Sequence, residues 1–358
     1  MTSAAEPISD VSGEIIVGVD GSPNSERAFD TALSLAQKQG KRLRLVCAFT
    51  FPFGYVDPYN TTALDGEETY KRIIEERITE VTDELGSRAE QAGVEAEVVI
   101  EEGDAAGVLS RLSESADYAV VGKRGRNSFT SRFTGSVSSS FASHSKCPVL
   151  VVPEGWDAES GLLADAAPES ALTAPEPEGK DPSDDFTAAL LGASHRVNRR
   201  AYENIEDDLN FDGEIVVAID PGSSAGSVAP LAADWAQQLN RPLVLVTAVS
   251  LDADTTGWMI GSISRETGQA PRARTVAIER LQEVTAELEE THPDLSVNWK
   301  FFDGAPAEVL TEASRTATLV IVGSRGRGGF AGLLLGSVSR AVLNHAVSPV
   351  LVIPVKSR

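Results

Sequence analysis

Three observations in the sequence predict an α/β protein of two doubly wound, five-stranded parallel sheets, each with strand order 3-2-1-4-5. The first is a long-period repeat. Gly-Glu-Ile-Ile-Val-Gly-Val-Asp at Gly13 to Asp20 returns as Gly-Glu-Ile-Val-Val-Ala-Ile-Asp at Gly213 to Asp220, and Pro-Val-Leu-Val-Val-Pro from Pro148 returns as Pro-Val-Leu-Val-Ile-Pro from Pro349. The offset is 200 residues at the first landmark and 201 at the second, which marks a duplicated domain rather than an array of short repeats. The second observation is that short apolar runs alternate with helix-spaced stripes in both halves, the pattern of parallel strands covered on both faces. The third is a glycine-hinged loop. Gly122-Lys-Arg-Gly125, nine residues and Gly135-Ser136 recur as Gly323-Ser-Arg-Gly326, nine residues and Gly336-Ser337.

Each element has a local reason. Glu14 to Val19 is an almost unbroken apolar run, as a central parallel strand requires. Ser22-Pro23 then offers an N-cap and a proline for the first helical turn, and Ala28, Ala32, Leu35 and Ala36 form a stripe that ends at Gly40. The matching helix ends at Asn240, and Gly and Asn are the residues that best accept a left-handed stop. Leu43 to Phe49 and Leu243 to Val249 are second strands. Long helices follow, with Ile74, Ile78, Val81 and Leu85 on one face in the first half and Ile278, Leu281, Val284 and Leu288 in the second. Val94 to Ile100 and Leu295 to Phe301 are third strands, short helices start near Ala105 and Ala305, and Tyr118 to Val121 and Leu319 to Val322 are fourth strands. Helices from about Gly135 and Gly336 lead to last strands at Val149 to Val152 and Val350 to Ile353.

Parallel neighbours need right-handed crossovers, and the order 3-2-1-4-5 puts the switch point between strands one and four. Ligands of open α/β sheets bind at the carboxyl ends of the strands flanking such a point. Those ends carry Asp20 and Gly122 in one half, Asp220 and Gly323 in the other. A glycine loop that feeds a helix N-terminus presents backbone N–H groups to phosphate oxygens.

The length of 358 residues suits two domains of ordinary size: residues 13–153 and 213–358, with a flexible N-terminus at 1–12 and a connecting segment at 154–212. That segment holds 15 Asp or Glu against 4 Lys or Arg, so it contributes −11 of the formal charge of −22. Glu154 to Asp184, rich in Pro, Glu, Asp and Ala, is expected to be flexible, and Phe186 to Leu209 to be either a docked or a solvated helix. An acidic chain argues against non-specific nucleic-acid binding and against docking on anionic membranes. No apolar run reaches eighteen residues and Met1 to Asp10 has no leader pattern, so a cytoplasmic location is expected. Cys47 and Cys147 lack a CxxC partner and read as buried or edge thiols.

At the glycine loops the chain closely resembles the universal stress protein family in its tandem, ATP-binding form. The resemblance spans both halves and rests on the Gly-x-x-Gly, nine residues, Gly-Ser loop, the Asp that ends the first strand, and the closing Pro-Val-Leu-Val-Val/Ile-Pro. It implies a Rossmann-like domain of the adenine-nucleotide alpha-hydrolase type. ATP, with or without magnesium, is the implied cofactor, and a role in survival or growth control under stress the implied function. Carried over by position, Gly323, Gly326 and Gly336 would let the backbone approach ribose and phosphates, with Ser337, Val338 and Ser339 at the helix N-terminus donating to phosphate. Asp220 would sit by the ribose and the backbone near Thr247 would touch the base. In the first half the same roles fall to Gly122, Gly125, Gly135, Ser136, Val137, Ser138, Asp20 and the backbone near Cys47.

The halves differ in fidelity. Lys123 stands where the second half has Ser324, and Asn127-Ser128 where it has Gly328-Gly329, so the first loop is bulkier, while Lys123 and Arg124 offer charge to a phosphate. Pro221 replaces Gly21 and removes a backbone donor beside Asp220. Arg126 and Arg327 stand at equivalent positions, either as phosphate contacts or as solvated loop charges. His144 and His345 read as packing or surface positions.

Three functional readings follow. One is an ATP-responsive regulator with an unidentified protein partner. Another is a slow ATP hydrolase or phosphotransferase, although no Asp or Glu occurs between Val121 and Cys147 or between Val322 and Val347, and no Walker lysine motif is present. The third is an association module. Pairing of the halves through their last strands would make an intramolecular pseudo-dimer, and the family adds the expectation of a homodimer.

Overall fold

In the computed structural model, the described residues are 13–50, 63–123, 136–156, 162, 209–221, 228–250, 269–324 and 335–355. The first half comprises β1 (Glu14–Gly18), α1 (Pro23–Gln39), β2 (Arg42–Phe49), α2 (Ala63–Gln91), β3 (Ala96–Glu102), α3 (Ala105–Leu112), β4 (Tyr118–Gly122), α4 (Ser136–His144) and β5 (Val149–Val152). The second repeats it with β6 (Ile215–Ala218), α5 (Ala229–Leu239), β7 (Leu243–Val249), α6 (Gln269–Thr291), β8 (Val297–Asp303), α7 (Pro306–Ala313), β9 (Leu319–Gly323), α8 (Ser337–His345) and β10 (Val350–Ile353).

Both halves have the order 3-2-1-4-5, but they share one sheet, β3-β2-β1-β4-β5-β10-β9-β6-β7-β8. The joint is antiparallel, with Val350 opposite Val151, Leu351 opposite Leu150 and Val352 opposite Val149. Two four-residue strands of Val, Leu and Ile would otherwise expose unpaired N–H and C=O groups along apolar edges, so each supplies the other's missing ladder. The sheet ends instead at β3 and β8, and on β3 Val98 and Ile100 remain exposed.

Strand alternation sends side chains into two cores, one per face, and each core crosses the joint. Ile15, Val17, Leu150, Leu351 and Ile353 lie on the face covered by α1, α2, α5 and α6. Ile16, Val149, Val151, Val350 and Val352 lie on the other, against Phe141 of α4 and Leu343 of α8. Above the joint, the Tyr118 ring meets Trp235 of α5 edge-on at 4.8 Å between centroids. The Tyr118 hydroxyl donates to Gln39 Oε1 at 2.8 Å, and Gln39 Nε2 donates to Gln238 Oε1 at 3.0 Å.

The ends of the connecting segment belong to these cores. Leu162 is fully buried and Trp156 packs on the first core, while Leu209 and Phe211 enter the second. Within the stretch expected to be flexible, the described residues Trp156 and Leu162 are packed on the first core, although the composition is acidic. The helix expected from Phe186 lies outside the described residues except at Leu209.

Helix ends follow the local chemistry. Ser22 Oγ accepts from Ser25 N–H and Pro23 opens α1, which stops at Gly40 in the left-handed region at φ 63°. α5 stops at Asn240, also left-handed at φ 53°. Asp104 caps α3 by accepting from Gly107 N–H at 2.9 Å.

Candidate functional site

At the carboxyl ends of β1, β2 and β4 the first half opens a cavity of about 190 Å³, several times the volume of one water. Its mouth is set by the turn after β1. Asp20 N–H donates to Ser25 Oγ at 3.3 Å and Asp20 Oδ1 accepts from Ser22 N–H at 3.0 Å, so the exposed carboxylate is held by its own turn. Val46 and Ala48 of β2, Leu109 of α3, Val121 of β4 and Val137 of α4 supply apolar walls, and Ser22, Asn24 and Ser138 add polar groups. The result is an apolar slot with a polar rim at the switch point.

Of the expected first-half residues, Asp20, Gly122, Val137 and Ser138 line this cavity, and Ser136 opens α4 beside it. Gly125, Arg126 and Gly135 lie outside the described residues. Cys47 does not line it. Its neighbours Val46 and Ala48 do, so alternation turns the Cys47 side chain to the opposite face, where burial pushes its thiol up to about 11. Asn24, Val46, Ala48, Ala105 and Leu109 were not anticipated, although parity at the end of β2 marks two of them. Gly122 has a reason internal to the chain: a Cβ there would lie 2.6 Å from the Asn24 carbonyl carbon, so glycine lets β4 pass the start of α1.

In the second half, Asp220 follows β6, and the Thr247 side chain is buried, donating through Oγ1 to the Ile219 carbonyl at 2.8 Å. Gly323 ends β9. Gly336 N–H donates to the Ser324 carbonyl at 2.7 Å, which draws the two ends of the loop together. α8 begins at Gly336 without a side-chain cap, leaving the first N–H groups at Ser337 and Val338 without intrahelical acceptors. Ser339 lies in the first turn of α8 and faces the end of β9. Its hydroxyl donates to the Gly323 carbonyl at 2.6 Å, which ties α8 to the end of β9. Gly326 and Arg327 lie outside the described residues.

Lys123 reaches across the joint. Its Nζ donates to the Ala346 carbonyl in the other half at 3.0 Å, beyond the end of α8, rather than lining the cleft. The carboxyl group raised by burial, Glu14, lies at the amino end of β1 between Arg44 and Arg42, far along the strand from the cleft. His144 Nδ1 lies 2.8 Å from the Ser140 carbonyl, a contact within its own helix. Among the described residues no group of three or more His, Cys, Asp or Glu could hold a metal, and no helix is long and apolar enough to cross a membrane.

Comparison with known proteins agrees with the repeat. The model of the universal stress protein family matches residues 13–153 and again 213–354. A universal stress protein of Mycolicibacterium smegmatis is 31% identical over 345 residues, covering 95% of this chain and 96% of the relative. One from Mycobacterium tuberculosis is 29% identical over 361 residues, covering 94% of each. Among solved structures, a universal stress protein from Archaeoglobus fulgidus aligns over 96% of this chain and 99% of its own with a TM-score of 0.60, a likeness of fold at 18% identity. With the duplicated 3-2-1-4-5 sheet and both halves matched, the chain belongs to the universal stress protein family.

Proposed function

We propose that the protein is an ATP-binding regulator acting in the cytoplasm, whose nucleotide state changes the surface it offers to a protein partner. The observation that carries this reading is the cleft between β1 and β4: an apolar slot of Val46, Ala48, Leu109 and Val137 beside the Asp20 carboxylate and Ser138 at the start of α4. The slot suits a purine ring, a carboxylate at its mouth suits ribose hydroxyls, and a helix N-terminus suits phosphate. In the second half the uncapped start of α8 after the Gly323 loop supports the same assignment.

A regulator fits better than an enzyme because the loop segments from Gly122 to Lys146 and from Gly323 to Ala346 contain no Asp or Glu to hold a metal or act as a base. Magnesium, if it accompanies the nucleotide, would be held chiefly by the phosphates. Regulation further requires that two conformations bind ATP with different affinity.

The test is to denature freshly purified protein, identify the released nucleotide and count it. About two ATP per chain is expected, and Gly336→Val should reduce that to about one without unfolding the chain. Release of ADP with steady turnover would favour hydrolysis, and no nucleotide, with none bound on addition of ATP, would overturn the reading.

A further inference from the structure

One helix of the second half reaches the strand end that carries the first cleft. At its start, α8 is fastened to the end of β9 by Gly336 N–H on the Ser324 carbonyl at 2.7 Å and by Ser339 Oγ on the Gly323 carbonyl at 2.6 Å. At its far end, the Ala346 carbonyl accepts Lys123 Nζ at 3.0 Å. Lys123 directly follows Gly122, which lines the first cleft, and its own N–H donates to the Val152 carbonyl at 2.7 Å. The nine residues of α8 therefore span roughly 14 Å between the loop end of the second half and the strand end that carries the first cleft. A cation on a C-terminal carbonyl is also where the helix dipole favours one.

The duplicated position does not repeat this. Ser324 is buried, and its Oγ accepts from Val355 N–H at 2.9 Å, within its own half. One long side chain thus makes a contact across the joint that the short one does not.

We infer that Lys123 is a positioning residue that couples the two nucleotide sites through α8. This rests on reading both clefts as ATP sites. ATP in the first cleft packs on Gly122 and orders the end of β4, and with it the Lys123 joint. The anchored helix then presents its uncapped N-terminus to the second ATP with less ordering left to do, so the second site binds more tightly. The same factor acts in the reverse direction, because linkage is reciprocal.

Calorimetric titration of the nucleotide-stripped full chain with ATP tests this in the native protein, Lys123→Met and Lys123→Arg. Two ATP should bind to the native chain with the second favoured about five-fold or more, the lower end of ordinary site coupling. Lys123→Met, which keeps the stem and loses the ammonium, should bind two ATP independently, and Lys123→Arg should restore the coupling. A simple structural defect is separated by placing Lys123→Met on Gly336→Val, where only the first site remains: its affinity should not change. Coupling that persists in Lys123→Met overturns the proposal. So does a weakened first site in the double variant, which would make Lys123 a ligand contact. Failure of the nucleotide reading looks different, as a native chain that takes up no ATP, and it removes the coupling with it.

Discussion

The two halves of this molecule share topology and differ in what fills it. Phe29 of α1 and Leu35 one and a half turns later are fully buried, and the equivalent positions on α5 hold Ala229 and Trp235. The large and small side chains have exchanged places on one helix face. A close-packed core tolerates such an exchange when the filled volume is preserved. Trp235 does more than fill space, since it reaches Tyr118 across the joint, where the mirrored pair is Leu35 and Leu319. At the strand ends that flank the switch points the differences are single side chains that do not line the first cavity: Cys47 for Thr247, Gly21 for Pro221, Lys123 for Ser324. The comparison teaches that duplication preserved the strand plan, and divergence acted at the joint and at these strand ends.

The largest expected effect tests the volume exchange. Phe29→Ala should destabilise the protein by about 4 kcal/mol in urea unfolding, because a fully buried ring leaves a cavity. Adding Leu35→Trp, which reproduces the second half's arrangement, should recover part of the loss. A single variant that loses less than about 1 kcal/mol would show that the helix faces are not equivalent in packing.

Next is the crossing at Gly122. Gly122→Ala should cost about 3 kcal/mol, because the new Cβ meets the Asn24 backbone rather than a side chain that can move aside. A near-neutral result by thermal unfolding would return this glycine to a purely ligand-facing role.

Smaller effects separate the two helix stops. Gly40→Ala should cost about 1 kcal/mol, since φ of 63° is left-handed. Asn240→Gly should be neutral or slightly stabilising, because Asn already tolerates φ of 53° less easily than Gly. A larger loss for the second change than for the first would contradict the backbone account.

An effect that vanishes at neutral pH lies in the thiols, which occur only in the first half. Burial pushes both Cys47 and Cys147 up to about 11. The native state therefore keeps these protons while the unfolded chain, near the ordinary value of 9.0, loses them. Their contribution is fully present below pH 9 and is lost as pH rises through about 11. Stability of the native chain should fall across that window more than that of Cys47→Ala. In the folded protein both thiols should resist an anionic disulfide reagent at pH 8, and rapid labelling of either would contradict their burial.

Much of the plan was legible because it is written in short-range chemistry. The ends of β5 and β10, the stops at Gly40 and Asn240, and the Ser22 cap depend on a few adjacent residues. The site was legible in part. Asp20, Val137 and Ser138 follow from strand and helix ends, whereas which side chains beside Cys47 face the cavity depends on parity along β2, where a shift of one residue changes the face. Lys123 could not be placed beforehand, since a four-carbon stem reaches many partners and the one it meets is 223 residues away.

The sequence by itself determined two copies of one α/β unit, their strand order and the ends of the strands at which a ligand would sit. Periodicity, turn residues and right-handed crossovers act locally and leave few alternatives. Only the tertiary structure decided the antiparallel register at which the expected pairing of last strands merges the two sheets, that Trp156, Leu162, Leu209 and Phe211 anchor the acidic connection, and that Lys123 spans the joint. Those outcomes depend on which distant surfaces lose water together, and no local pattern records that.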